Sequence, residues 1–223
     1  IPKAVASKWV KPDGIASTDD YYEIAVVEYK EKFHSDLANP TTLRGYVQID
    51  HLASNGRGQL VANTTPYALT YPDNTPIMIN ATKANGELDP TGGLNGSGKV
   101  AALAVDKPHY LGPLLSATQN TPTRIKFHNL LPIGRAQISG GGPAAANSVV
   151  TARNGDMFLP VDKSVLGAGF GPDGVTVYTQ NRANIHLHGG DNPWISDGSP
   201  HQWITPAGEA EAANGKSLAA QYA

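Results

Sequence analysis

The chain has 223 residues, no cysteine, 24 glycines and 17 prolines, and a formal net charge of -2. That length is ample for one hydrophobic core with a large insertion; the missing thiols exclude disulfides, and the near-neutral charge gives no electrostatic reason to expect nucleic acid or an anionic membrane as partner. No run of about 18 apolar residues is present to span a bilayer as a helix, and the wealth of glycine and proline points to an all-β, turn-rich chain.

Residues 1–20 are polar, contain Pro2, Pro12 and Gly14, and read as an extended arm with Trp9 as its anchor. Residues 21–223 are then read as a single domain. Residues 21–30 are rich in strand formers and partly alternating, and residues 43–52 give a second strand candidate. An insertion is expected over about residues 53–105, since a stretch of about 55 residues is long for a connection inside a compact domain. Its strand-like pieces are residues 59–62, 67–71 and 77–80, with Gly86, Asp89-Pro90, Gly92-Gly93, Gly96 and Gly98 supplying turns, so a β-hairpin or small β-subdomain followed by a mobile Gly-rich loop is expected, as surface decoration or, alternatively, a subunit contact. Residues 99–105 lead into Tyr110-Leu111-Gly112-Pro113. Residues 124–129 alternate, with Ile125 and Phe127 on one face and Arg124, Lys126 and His128 on the other, which predicts a solvated His128. Residues 133–152 are Gly-, Ala- and Ser-rich and read as a flexible loop. Residues 157–161 regain order, residues 175–178 and 183–188 are expected as strands, and residues 209–223 as a short helix or frayed end.

The chemistry concentrates in Asn184-Ile185-His186-Leu187-His188-Gly189-Gly190, continued by Pro193-Trp194-Ile195-Ser196-Asp197-Gly198. In an extended segment His186 and His188 point the same way, with α-carbons roughly 6.6 Å apart. That suits one metal held by both rings, or two neighbouring metals with one ring each; imidazole binds copper, zinc, iron and nickel well. Gly189 and Gly190 leave room beside the rings, and Asp197 returns a carboxylate able to orient a ligand or move a proton. Trp194 and Trp203 are expected to pack around this segment and exclude water. His34 and His201 read as structural or surface residues.

The His186-Leu187-His188-Gly189-Gly190 run, with Pro193, Ser196-Asp197-Gly198, Pro200 and Trp203, resembles the first copper-binding motif of multicopper oxidases, in the branch of bacterial laccases, bilirubin oxidases and spore-coat laccase. Tyr21-Tyr22-Glu23-Ile24, His34-Ser35-Asp36-Leu37 and Pro40-Thr41-Thr42-Leu43-Arg44-Gly45-Tyr46 are similar to that branch's opening strands. Tyr110-Leu111-Gly112-Pro113 and residues 124–132 are similar to its next pair. The resemblance implies a cupredoxin-like Greek-key β-sandwich, with His186 on the type 2 copper, His188 on one of the type 3 pair, and Asp197 beside the trinuclear cluster assisting proton delivery. It implies one-electron oxidation of a small reducing substrate (a phenol, a bilirubin-like pigment or a metal ion) coupled to four-electron reduction of dioxygen to water. It also implies an extracellular or periplasmic location, although no signal peptide is visible.

The family's further histidine motifs and its type 1 cysteine do not occur in these residues. The expectation is therefore an N-terminal part, inactive alone, whose partner is a complementary C-terminal chain or the remainder of the same polypeptide. Their interface is expected to exceed about 2,000 Å². Two rival readings differ in class. A mononuclear cupin-type oxygenase also uses His-x-His but needs a glutamate a few residues on, where this chain has Gly189, Gly190, Asp191 and Asn192. A non-catalytic cupredoxin-like structural or interaction domain would not require the His186, His188 and Asp197 set.

Overall fold

The computed structural model describes residues 1–11, 13–50, 66–82, 88–134, 137–139, 149–165, 168, 178–194, 197–198, 203–207 and 209. The expected strand at residues 59–62, Val175 to Val177, Gly86, His201, Ser196, Pro200 and the segment after Glu209 lie outside them. Among the described residues the regular structure is all-β, with ten strands and one short 3-10 turn, and the strands pair mainly in antiparallel fashion. The chain divides into two compact units, Ile1–Leu130 and Leu131–Ala223.

The first unit is built on β2 (Ala16–Glu31), which is buried continuously from Tyr21 to Glu28. Burial on both faces explains why its sequence alternates only in part. Strand β1 (Ser7–Val10) pairs antiparallel with the start of β2, and β3 (Thr41–Gln48) pairs antiparallel with residues 24–31. Strand β8 (Thr123–Asn129) runs parallel to residues 20–26 of β2. Ile24 is thus paired with Gln48 on one edge and Phe127 on the other. The opening segment is more than an arm. Lys3 bridges to Leu114, β1 enters the sheet, and Trp9 packs on Tyr21 with Arg124 over its ring.

Among the described residues, the expected insertion supplies four of the eight buried residues of one core cluster. Strand β4 (Tyr67–Ala68) pairs with β7 (Leu103–Ala104), and β5 (Met78–Asn80) with β6 (Lys99–Ala101). From these hairpins Leu69, Ile77, Ala102 and Ala104 pack on Ala25, Val27, Val47 and Ile49 of the main sheet, all nearly inaccessible. The small alanines let the backbones approach closely, and the described part of the insertion is therefore structural rather than decorative. The opposite face of β2 is covered by Ala4, Leu115 and Phe127 around Tyr22 and Ile24. Tyr110 and Leu111 form a turn, where the resemblance had placed a strand.

His128 departs from the expectation of a solvated ring. Its side chain is only 19% exposed, and Nε2 lies 2.7 Å from the buried Glu23 carboxylate. The other Glu23 oxygen accepts from the Tyr21 hydroxyl at 2.8 Å. The sequence pattern placed His128 with Arg124 and Lys126, but β8 pairs with β2 in the same sheet, and Glu23 of β2 supplies the partner beside it.

In the second unit, β9 (Gln137–Ser139) and β10 (Val149–Ala152) form an antiparallel pair inside the expected flexible loop. Asn181, fully buried, donates to the Pro132 carbonyl at 2.9 Å and to Glu209, whose carboxylate also accepts from the Gly134 amide at 2.8 Å. Gln180 holds residues 157–159 by accepting from the Met157 amide at 2.7 Å and donating to the Leu159 carbonyl at 3.0 Å.

Candidate metal site

The histidine motif sits on a loop closed at its neck. Ala183 and Ile204 exchange two backbone hydrogen bonds, at 3.0 and 2.8 Å, across residues 184–203. Arg182 reinforces the neck. Its guanidinium lies 4.4 Å from the Tyr178 ring centre and 4.6 Å from that of Trp203, and the two rings meet edge to face at 4.9 Å. Arg182 Nε donates to the Thr179 carbonyl at 3.0 Å and a terminal nitrogen to Ala168 at 3.2 Å. Burial pushes Arg182 below its ordinary pKa while Tyr178 opposes the shift; guanidinium is basic enough to stay cationic. A planar cation between two aromatic faces fixes both chain ends at once.

Beyond the neck the motif is not a strand. Ala183 makes a single bridge, residues 184–187 have no regular ladder, and His188-Gly189 is a turn closed by the Gly190 amide on the Leu187 carbonyl at 3.1 Å. Past the Ala183–Ile204 bridge, the described contact of the returning chain with the motif is made by Asp197 to the His186 ring. At Asp197 the backbone carbonyl lies 2.7 Å from His186 Nδ1, and the Asp197 carboxylate Oδ1 lies 3.1 Å from the same nitrogen. The two imidazoles still stand side by side, with ring centres 5.8 Å apart and planes at 83°. His186, Leu187 and His188 are exposed.

Two glycines set this geometry. Gly198 has φ +74°, and a Cβ there would meet the Ile185 carbonyl oxygen at 2.2 Å, so only glycine lets Asp197 approach the His186 strand of the loop this closely. Gly190 does not leave open room beside the rings as its sequence context implied. A Cβ there would fall 2.4 Å from Leu187 and 2.7 Å from Asn192 Oδ1, so the space is filled by those side chains. Trp194 does not shield the site either: it is 74% exposed, while Trp203 is half-buried at the neck. The Asp197 amide donates to the Trp194 carbonyl at 3.3 Å.

The donor set fits a metal that takes imidazole. A backbone carbonyl only accepts, so Nδ1 of His186 is the donor in this contact, an arrangement that in a neutral imidazole leaves the lone pair on Nε2. An Nδ1–H held by carbonyl and carboxylate is the usual orienting partner of a metal-ligating histidine. Among the described residues no group of three or more His, Cys, Asp or Glu side chains is placed to hold a metal ion. Among the described residues, His186 and His188 stand as two candidate imidazole donors side by side. Sequence reasoning found His186, His188 and Asp197 but missed Asn192, whose amide donates to Asp197 Oδ1 at 3.0 Å. In a loop, asparagine reads as a turn former, and nothing in its spacing marks it.

No family model, no curated protein and no solved structure matches this chain.

Proposed function

We propose that this chain is the N-terminal part of a laccase-type multicopper oxidase, contributing His186 and His188 to a trinuclear copper cluster completed by residues outside it. The observation that carries this reading is the pairing of Asp197 with His186 Nδ1, at 2.7 Å through its carbonyl and 3.1 Å through its carboxylate, which presents Nε2 as a ligand beside the His188 ring. The all-β architecture is compatible with a cupredoxin-like Greek-key β-sandwich, which this proposal adopts for the fold. His186 is assigned to the type 2 copper and His188 to one of the type 3 pair. Copper bound there supplies the one-electron steps that take dioxygen to water.

The residues of this chain hold, orient and shuttle. His186 and His188 donate lone pairs. Asp197 fixes the His186 ring and, with its side chain partly open to solvent, passes protons from water toward the site. Gly198 permits that approach, and Arg182 holds the loop at its neck. The chain has no cysteine, so the type 1 thiolate and the remaining imidazoles come from a partner chain or the remainder of the polypeptide. The reducing substrate is a small one-electron donor, and the setting is extracellular or periplasmic.

The test is His186→Ala and His188→Ala in the native assembly, followed by dioxygen uptake and visible absorption. The proposal requires loss of dioxygen reduction with the blue absorption retained. Unchanged dioxygen reduction in both variants overturns it.

A further inference from the structure

We propose that Asn192 is a positioning residue of the histidine site, its side-chain amide holding the Asp197 carboxylate against the His186 ring. This rests on the copper-site reading above. Asn192 Nδ2 donates to Asp197 Oδ1 at 3.0 Å, and the same oxygen lies 3.1 Å from His186 Nδ1. The same carboxylate oxygen thus accepts from the Asn192 amide and lies beside the His186 ring, whose Nδ1 meets the Asp197 carbonyl at 2.7 Å. A carboxylate only accepts, so the amide nitrogen and not its oxygen must face Asp197, and the chemistry fixes the orientation of the amide.

The placement of Asn192 is built rather than incidental. Its amide oxygen is buried and has no hydrogen-bond partner among the described residues. The bond that this side chain makes is therefore at its donor end, to Asp197, while its acceptor end is buried at a cost. It also occupies space that a Cβ at position 190 would take, since that atom would fall 2.7 Å from Asn192 Oδ1. The second glycine of the motif therefore clears the way for Asn192. Through Asp197, Asn192 acts on the orientation and tautomer of His186 without touching a ligand nitrogen itself.

The test uses the full chain with ¹⁵N-labelled histidine, metal-free and then titrated with Cu(II). Long-range ¹H–¹⁵N spectra read the His186 tautomer directly, and competition against a chelator reads Cu(II) affinity. Two variants are made. Asn192→Leu removes the donor, and Asn192→Asp keeps the shape while replacing the donor with an acceptor. Wild type shows His186 protonated on Nδ1. Both variants lose that single signature to a mixture of tautomers, and Cu(II) affinity falls by about tenfold or more. If both variants keep the wild-type tautomer and affinity, Asn192 has no positioning role, and the copper reading stands untouched. If His186→Ala leaves Cu(II) affinity unchanged, the copper reading fails, while the tautomer spectra still decide the role of Asn192. Asn192→Asp answers the question if the leucine variant misfolds.

Discussion

Replacing Gly198 by alanine tests how tightly the loop geometry is drawn around His186. The new Cβ would lie 2.2 Å from the Ile185 carbonyl oxygen, where real Cβ contacts essentially never fall under 3.0 Å, so the backbone must retreat by at least about 0.8 Å. The φ of +74° adds the left-handed penalty of roughly 1–2 kcal/mol for any residue with a Cβ. Together with the clash, a cost of about 2–4 kcal/mol is expected. A retreat of that size moves the neighbouring Asp197 carbonyl, now 2.7 Å from His186 Nδ1, to the edge of hydrogen-bonding range. Gly198→Ala should therefore unfold at lower denaturant and bind Cu(II) about 10- to 100-fold more weakly than wild type, as loss of an orienting partner does. The assay is denaturant unfolding with chelator competition on the same preparations. A variant with wild-type stability and wild-type copper affinity would refute the claim that Gly198 sets the site.

Three further outcomes follow from the packing. Ile77→Ala, in the centre of the first unit's core, should cost about 2–5 kcal/mol by denaturant unfolding, whereas Ile15→Ala at an exposed position should change stability by less than about 0.5 kcal/mol. Arg182→Lys keeps the charge but loses the planar stack on Tyr178 and Trp203; amide exchange at Ala183 and Ile204 should quicken by about tenfold, and unchanged exchange would show that the neck does not depend on the guanidinium. Burial, and then the Glu23 carboxylate, hold the Tyr21 phenol far above its ordinary pKa. A raised folded pKa gives stability that is complete below the unfolded value of about 10 and is lost as pH rises beyond it. The stability gap between wild type and Tyr21→Phe should accordingly narrow above about pH 10, and a constant gap across that range would contradict the Tyr21–Glu23 assignment.

Three of the four strands of the main sheet were legible because β-branched and aromatic residues cluster in residues 21–30, 43–52 and 124–129, whereas β1 lies in residues 1–20, read as an arm. Their pairing was not legible: β8 lies beside β2 in parallel register about a hundred positions later, and no local pattern encodes so distant a partner. The core role of the inserted region was hidden for another reason. Ala102 and Ala104 contribute by being small at a close approach, and alanine carries little strand signal. At the site, the spacing of His186 and His188 gave their side-by-side rings, and Asp197-Gly198 gave the returning carboxylate. The expectation of a strand failed past Ala183, whose single bridge to Ile204 is the one backbone pairing described for the segment. Trp194 is exposed, which its hydrophobicity did not foretell.

The most direct measurement is the copper content of the native assembly that contains this chain, by elemental analysis alongside native mass spectrometry. The account predicts that the chain co-purifies with the rest of the ligand set, carries copper in excess of a single blue site, and loses that excess in His186→Ala while the blue absorption persists. An assembly that stays metal-free under copper-replete conditions, or a His186→Ala assembly with its full copper content, would contradict it.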